Sequence, residues 1–445
     1  ALRGLRADRQ LVRLRSGRAG AGGARGSILA EPVGMYRFLA INDHLGRSEW
    51  TGRADTLLTE RLTHRPFRDM HALLDATDAL WIGQLSCDLG RWIEKLPTRA
   101  DDDRHWPIIQ LGCCPGQLVH DNVTGRWLAC GDWTHGGYPP LDALEPQTGA
   151  FAAANPRSVF TRDAYDCAIR RTLDYIAAGD IFQANIAQRF TADFTGRYPL
   201  AHRAAYGALA TVSPAWYGAY LELAAPHEPS VTRRVIASTS PELFLEVDPA
   251  GNVVTRPIKG TRPATAPVSE LRDSEKDAAE LNMIVDLLRN DLGRVCAYGS
   301  VRVPQPRVIE SHPTIHHGVA TITGRLHERK TVIDLLRATM PGGSITGAPK
   351  VRAMQIIDEL EPVRRGPYCG AIGCLSRSQT CLNIAIRTML LDERRVDFSV
   401  GGGIVADSTP QAEYQETLDK AAAILTALRL RRAGEKPLVS GVNRD

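Results

Sequence analysis

No two of the nine cysteines stand at Cys-x-x-Cys spacing, so a structural zinc site is not expected. The count is odd and the positions are scattered, which does not suit a disulfide framework. Cys113 and Cys114 are adjacent and cannot easily bridge each other. Reduced thiols in a cytoplasmic protein fit this usage. No apolar run approaches the ~20 residues of a membrane-spanning helix. No segment repeats and no heptad pattern is sustained. Positive charge is scarce outside one stretch. Residues 1–27 carry seven arginines and one aspartate, so the formal net charge of +4 resides there and the remainder is slightly acidic. The body lacks the basic stripe of a nucleic-acid binder. Neither nucleic acid nor a membrane is expected as a partner.

What remains is ordinary globular material, 43% hydrophobic. Residues 1–27, rich in Arg, Ala and Gly, read as a disordered tail. An Arg-rich, acid-poor start of this kind imitates a transit peptide, but it has no apolar signal core. Residues 28–150 read as an N-terminal subdomain of short strands broken by Gly, Asp and Pro. Pro146, Gly149 and Pro156 mark a boundary over 144–157. Residues 151–432 form the second unit, and 433–445 a polar C-terminal tail. Helices are predicted over 161–179, 274–291, 331–339, 350–359 and 409–431. Thr161 and Ser274 serve as N-caps and Gly179 as a stop. Strands are predicted over 216–223, 243–247, 253–258, 301–303, 319–322, 370–375, 382–391 and 396–400. Strands next to strands, with helices between groups, predict an α+β fold rather than a doubly wound parallel sheet.

Several constellations carry chemistry. Lys259 lies in a short Pro-Ile-Lys-Gly-Thr-Arg-Pro run at the end of a strand, with Arg256 and Arg262 nearby. Burial and like charge both lower a lysine pKa from about 10.4, and a neutral amine is a nucleophile. The bland alternative is a solvated loop lysine. Asp277 and Glu280 share one helix face, as do Glu413 and Glu416, with Lys420 one turn further on. Two such pairs could converge on a hard cation such as Mg2+, or could simply be solvated acidic faces. The glycine loop 341–350 has P-loop glycine spacing at Gly342 and Gly347. It lacks the Lys-Ser/Thr that must follow, so a nucleotide phosphate site is excluded. Gly401 to Gly403 follow a strand and permit close approach of a ligand, or form a bulge. Arg387, placed mid-strand, is either paired or a clamp for a carboxylate. His316 is either structural or an acid/base. Gly112 to Gln117 imitates the cysteine elbow of a glutamine amidotransferase. It is one residue short and has no His and Glu partners, so the chain is not expected to release ammonia from glutamine itself.

Taken together, the run 181–185, the run 240–244, the Lys259 segment, the run 283–291, the loop 342–350 and the run 401–416 resemble the chorismate-utilising enzymes. That group includes anthranilate synthase component I and aminodeoxychorismate synthase component I. The resemblance runs from about 157 to 431, is looser over 75–135, and is poor over the first 70 residues. It implies two large facing antiparallel sheets with helices outside, the anthranilate synthase component I type of fold. It implies Mg2+ on Glu280 and Glu416, with Asp277 and Glu413 close by. It gives Tyr368, Arg387, Gly403 and Lys420 to the enolpyruvyl carboxylate of chorismate, and Gly260, Thr261 and Ser344 to the ring. His316 becomes the acid/base histidine. Anthranilate synthases usually carry alanine where Lys259 stands. Isochorismate and salicylate synthases carry a lysine base where Gln183 stands. Gln183 with Lys259 resembles the aminodeoxychorismate synthases. The resemblance then implies a lysine adduct at C2 of chorismate, with Glu242 protonating the departing C4 hydroxyl. Ammonia would come from a separate glutaminase subunit, and the product would serve p-aminobenzoate and folate. Anthranilate synthesis and a non-catalytic regulatory relative remain the alternatives.

Overall fold

The computed structural model describes residues 10–15, 26–52, 62–133, 149–224, 233–312 and 315–429. Its strands form two sheets of eleven, paired antiparallel throughout. In the first sheet, Gln183–Gly196, Arg395–Ile404, Thr388–Leu391, Val235–Ser240 and Tyr217–Glu222 lie side by side. In the second, Ile258–Pro263, Ile315–Arg325, Asn252–Arg256, Leu243–Val247, Thr380–Ile384 and Ala371–Leu375 do. Val12, Ala219, Leu221, Ile236 and Leu390 from one sheet pack with Leu80, Ile82, Ile372 and Cys374 from the other. The sheets therefore face each other. Helices Leu200–Val212 and Pro410–Ala427 cover the outside of the first sheet through Ala205, Leu209, Ile424 and Leu425. Helix Glu275–Gly293 covers the second through Leu281, Ile284 and Leu288. With both faces covered, strands such as Leu80–Leu85 and Val235–Ser240 are buried at every residue. That removes the polar alternation a half-solvated strand would show.

Most predicted elements form where the caps placed them. Thr161, Ser274, Thr331 and Thr409 each accept a backbone N–H at the start of a helix. The 14-residue strand Gln183–Gly196 and the helix Leu200–Val212 went unpredicted. The strand's near-continuous burial hid its period, and Ala-rich sequence marks a helix only weakly.

Two expectations need correction. First, residues 1–27 are not a uniformly disordered tail. Val12–Arg15 inserts into the first sheet, between Tyr217–Glu222 and Gly26–Ala30. Its anchor is Glu222, a fully buried carboxylate that accepts from Leu11 N at 2.9 Å and from Arg203 Nε at 2.7 Å. Removing one partner of a buried pair strands the other charge. Glu222→Ala should therefore cost about 3–5 kcal/mol, read from the urea midpoint, and expose residues 10–15 to protease. Wild-type protection would contradict this role for Glu222. Second, strands from both sides of residue 150 build both sheets, so 28–150 does not form a layer of its own. Of the predicted boundary, 144–148 lies outside the described residues, as does the tail over 433–445, whereas Phe151–Ser158 is a strand paired with Gln183–Gly196.

The chain changes sheets twice at one place. It passes from Val235–Ser240 to Leu243–Val247 through Pro241 and Glu242. It passes from Thr380–Ile384 to Thr388–Leu391 through Ala385, Ile386 and Arg387. The two crossovers are bonded to each other: Thr239 N donates to Arg387 O, Ile384 N to Glu242 O, and Ser240 Oγ to Ile384 O at 2.6 Å. The predicted single strand over 382–391 is thus two strands in different sheets. Arg387 is not mid-strand but at the bend, with φ 49°. A chain that leaves one sheet for another must turn out of the extended region, and a non-glycine residue there is strained.

Candidate active site

The crossovers set Glu242 and Arg387 beside the edge strand that carries Lys259. Glu242 is 5% exposed, and its Oε1 accepts from Ser344 Oγ at 2.6 Å. Burial pushes this carboxyl up to about 7, against the opposing pull of the Ser344 hydroxyl, the Lys259 charge and the Ile258 N–H. It therefore holds a proton near neutrality, as a general acid must.

Lys259 has a side chain only 12% exposed, and its Nζ lies 3.9 Å from Glu280 Oε2. Burial pushes the amine down, the charge of Glu280 opposes this, and Lys420 adds to the lowering. The like charge acting on it is thus Lys420, not the expected Arg256 and Arg262. Those two are engaged elsewhere, with Glu310 and with Asp277. Gly403 and Gln183 close in from the first sheet. A Cβ on Gly403 would stand 2.3 Å from Gln183 Nε2 and 3.1 Å from Lys259 Nζ. Gly403→Ala should therefore displace the amine and cut kcat/KM by about 10²-fold, the scale of a small misplacement of a reacting group. Circular dichroism should stay unchanged, and unaltered turnover would show that Lys259 tolerates the shift.

The carboxylates converge unevenly. Burial raises Glu280, and the charges of Asp277 and Glu416 raise it further, against Lys259 and Lys276. Asp277 is bonded to Arg262 at 2.8 Å, so it stands behind Glu280 rather than free. Glu416 and Lys420 pair at 2.6 Å at the mouth of the site, with side chains 48% and 47% exposed, and Lys420 Nζ also donates to Gly401 O. Glu413 is buried, accepts from Ser408 through Oε1, and leaves Oε2 without a protein partner. Among the described residues, no three His, Cys, Asp or Glu side chains lie close enough to hold a cation unaided. Glu416 acts electrostatically on both Glu413, whose Oε2 is orphaned, and Glu280. Carboxylates paired in this way fit Mg2+, which takes one or two protein carboxylates and completes its shell with water or substrate oxygens.

Arg387 is half-buried with no carboxylate partner among the described residues, and desolvation of its guanidinium alone pulls it down to about 10. Tyr368 is buried in the adjoining turn, where Cys369 N donates to Ala385 O. Gly260 adopts φ 78°, and a Cβ there would meet Leu271 and Asp277. Thr261 Oγ1 lies 2.9 Å from His317 Nδ1.

His317, not the expected His316, is the histidine placed against the ring-lining segment. Adjacent strand residues point to opposite faces. His316 turns to Ser311, with Nδ1 2.8 Å from its Oγ. His317 is driven well down by burial and by Arg387, and its Nε2 is buried without a protein partner. Register could have found it, because Thr261 lies directly opposite His317. The amidotransferase-like Cys113 and Cys114 end a buried strand, and burial holds the Cys114 thiol far above its usual range, so it offers no nucleophile. Lys350 of the glycine loop pairs with Asp291 and donates to Thr339 O, a structural role.

The fold, the paired crossovers and this set of carboxylates and cations define a chorismate-type site. The chain belongs to the chorismate binding enzyme family, whose model matches residues 28–426. The match thus reaches well beyond the 157–431 span legible in the motifs. The chain is 42% identical over 363 residues to aminodeoxychorismate synthase component 1 of Klebsiella aerogenes, covering 78% of this chain and 76% of that protein. It is 38% identical over 375 residues to anthranilate synthase component 1 of Thermus thermophilus, covering 79% and 78%. The crystal structure of anthranilate synthase component I from Streptococcus pneumoniae TIGR4 superposes with a TM-score of 0.72 at 29% identity, over 92% of this chain and 93% of that one.

Proposed function

We propose that the chain is the chorismate-converting component of an aminodeoxychorismate synthase, making 4-amino-4-deoxychorismate for p-aminobenzoate and folate. One observation carries the reading: a largely buried amine with a lowered pKa, Lys259, lies beside Glu280 and Gly403 and within the field of Glu242, whose carboxyl burial raises to about 7. Direct attack of ammonia on C2 would need no amine there.

Lys259 Nζ bonds to C2 as the C4–O bond breaks. The two ring double bonds shift, and the oxygen leaves as water with the proton from Glu242. Ammonia then adds at C4, the double bonds shift back, and the C2–N bond breaks to return the amine. Arg387 and Lys420 bind the enolpyruvyl carboxylate. Gly260, Thr261 and Ser344 line the ring, and His317 stands at its edge. When bound, Mg2+ held by Glu280 and Glu416 would offset the charge of the ring carboxylate and orient it. Relatives named component 1 support a second component. Since Cys113 and Cys114 are inert, a separate glutaminase subunit in the cytoplasm is proposed as the ammonia source.

The test is product identification with chorismate, Mg2+ and ammonium. The 4-amino product is expected, with turnover lost in EDTA and restored by Mg2+. Fluorescent ortho-aminobenzoate as sole product would favour the anthranilate synthase reading, and no turnover at all the non-catalytic one.

A further inference from the structure

We propose that Arg365 is a positioning residue for the proton donor: by holding the Ile345 carbonyl it keeps the neighbouring Ser344 hydroxyl on Glu242. The inference rests on the proposed role of Glu242. Ser344 belongs to the short turn Gly343–Ile345. That turn is weakly closed by its own backbone, since Ile345 N to Gly342 O and Thr346 N to Gly343 O both span 3.4 Å. This is beyond the normal range for an N–H···O bond. Thr346 Oγ1 also donates to Gly342 O at 3.0 Å across the turn, and neither tie reaches Ile345 O, which is held from outside. Arg365 Nη1 donates to Ile345 O at 2.8 Å. The same guanidinium donates to Glu361 through Nε at 2.9 Å and Nη2 at 2.6 Å, and to Asn185 O. Glu361 in turn accepts from Ala187 N at 2.9 Å. One planar group thus ties the turn to the edge of the first sheet and is itself fixed by a buried carboxylate. A lysine has the charge but not the fork to reach all of these at once.

The groups acting on Glu242 are Ser344, Lys259, the Ile258 N–H and Cys369. Of the hydrogen-bond donors among them, only the Ser344 hydroxyl comes from the turn. A hydroxyl that donates to the ionised carboxylate favours ionisation, so loosening it moves the Glu242 midpoint up. Arg365→Lys should do this with Lys259 and Ile258 untouched and with a positive charge kept near Cys369.

The test is infrared titration of the Glu242 carboxyl, assigned by its loss in Glu242→Gln, together with the pH profile of turnover. Ser344→Ala should raise the midpoint. Arg365→Lys should raise it in the same direction, and Arg365→Lys with Ser344→Ala no further than Ser344→Ala alone. An unchanged midpoint in Arg365→Lys, or additive shifts in the double variant, would overturn the proposal. If Arg365→Lys does not fold, Arg365→Met with Glu361→Leu removes both buried charges together and carries the same expectation. The infrared midpoint is read without substrate. A wild-type protein that turns over with no limb at that midpoint would refute Glu242 as the acid, while the carboxyl titration would still decide on Arg365.

Discussion

Lys259→Ala is expected to lose the C4-aminated product by about 10³-fold or more, the scale on which removal of a nucleophile acts. In the proposed reaction the amine does what free ammonia cannot do from the C4 side: it adds at C2, expels the C4 oxygen and leaves C4 open for the second nitrogen. Its environment suits the role: burial favours the neutral form and Glu280 at 3.9 Å keeps the side chain in place. With ammonium withheld, the wild-type protein and chorismate should give a species heavier by chorismate less one water. Peptide mapping should put the added mass on Lys259. The alanine variant has two informative fates. Silence, or diversion to ortho-aminobenzoate as ammonia takes the vacated approach to C2, supports the covalent step. Wild-type yields of the C4 product from Lys259→Ala would remove it.

Glu242→Gln should be nearly inactive yet more stable than the wild-type protein at pH 8. An amide cannot protonate the departing oxygen, and loss of a positioned acid costs about 10²–10⁴-fold. The stability sign follows from the carboxyl's rise from an ordinary 4.5 to about 7 on folding. Below 4.5 the group is protonated in both states. Between 4.5 and 7 only the folded chain keeps the proton, so stability falls as pH rises, and above 7 the loss is complete. It amounts to on the order of 3 kcal/mol. Glutamine carries no charge at any pH and its Oε1 can still accept from Ser344, so the gain in melting temperature should be present at pH 8 and absent at pH 4.5. In the wild type the same carboxyl sets the alkaline limb of turnover near 7. A variant with full activity, or with no pH-dependent gain in stability, would show that Glu242 is neither the acid nor buried as a charge.

The resemblance named most of the candidate site residue by residue, and the structure groups Lys259 with Glu280, Gly403 and Gln183, Glu242 with Ser344, and Thr261 with His317. Where sequence reading went astray, the error was of direction rather than identity. His316 and His317 are neighbours, and composition cannot say which face of a strand turns inward. Arg387 was read inside a continuous apolar run, because Leu382 to Leu391 look alike whether they stay in one sheet or cross to another. The strand Val12–Arg15 was lost in an Arg-rich stretch, because its stability comes from Glu222, some two hundred residues away.

By itself the sequence determined the starts of the helices capped by Thr161 and Ser274. It also determined that no two cysteines stand at Cys-x-x-Cys spacing, and the residue types at positions 183 and 259 on which the proposed reaction rests. These are local properties, decided by a side chain and its near neighbours. The tertiary structure alone decided that burial raises the Glu242 carboxyl, that Lys420 rather than Arg256 or Arg262 presses on Lys259, and that Arg387 has no carboxylate partner among the described residues. Those are properties of burial and distance between strands far apart in the chain. They exist only once two sheets close over one another and exclude water.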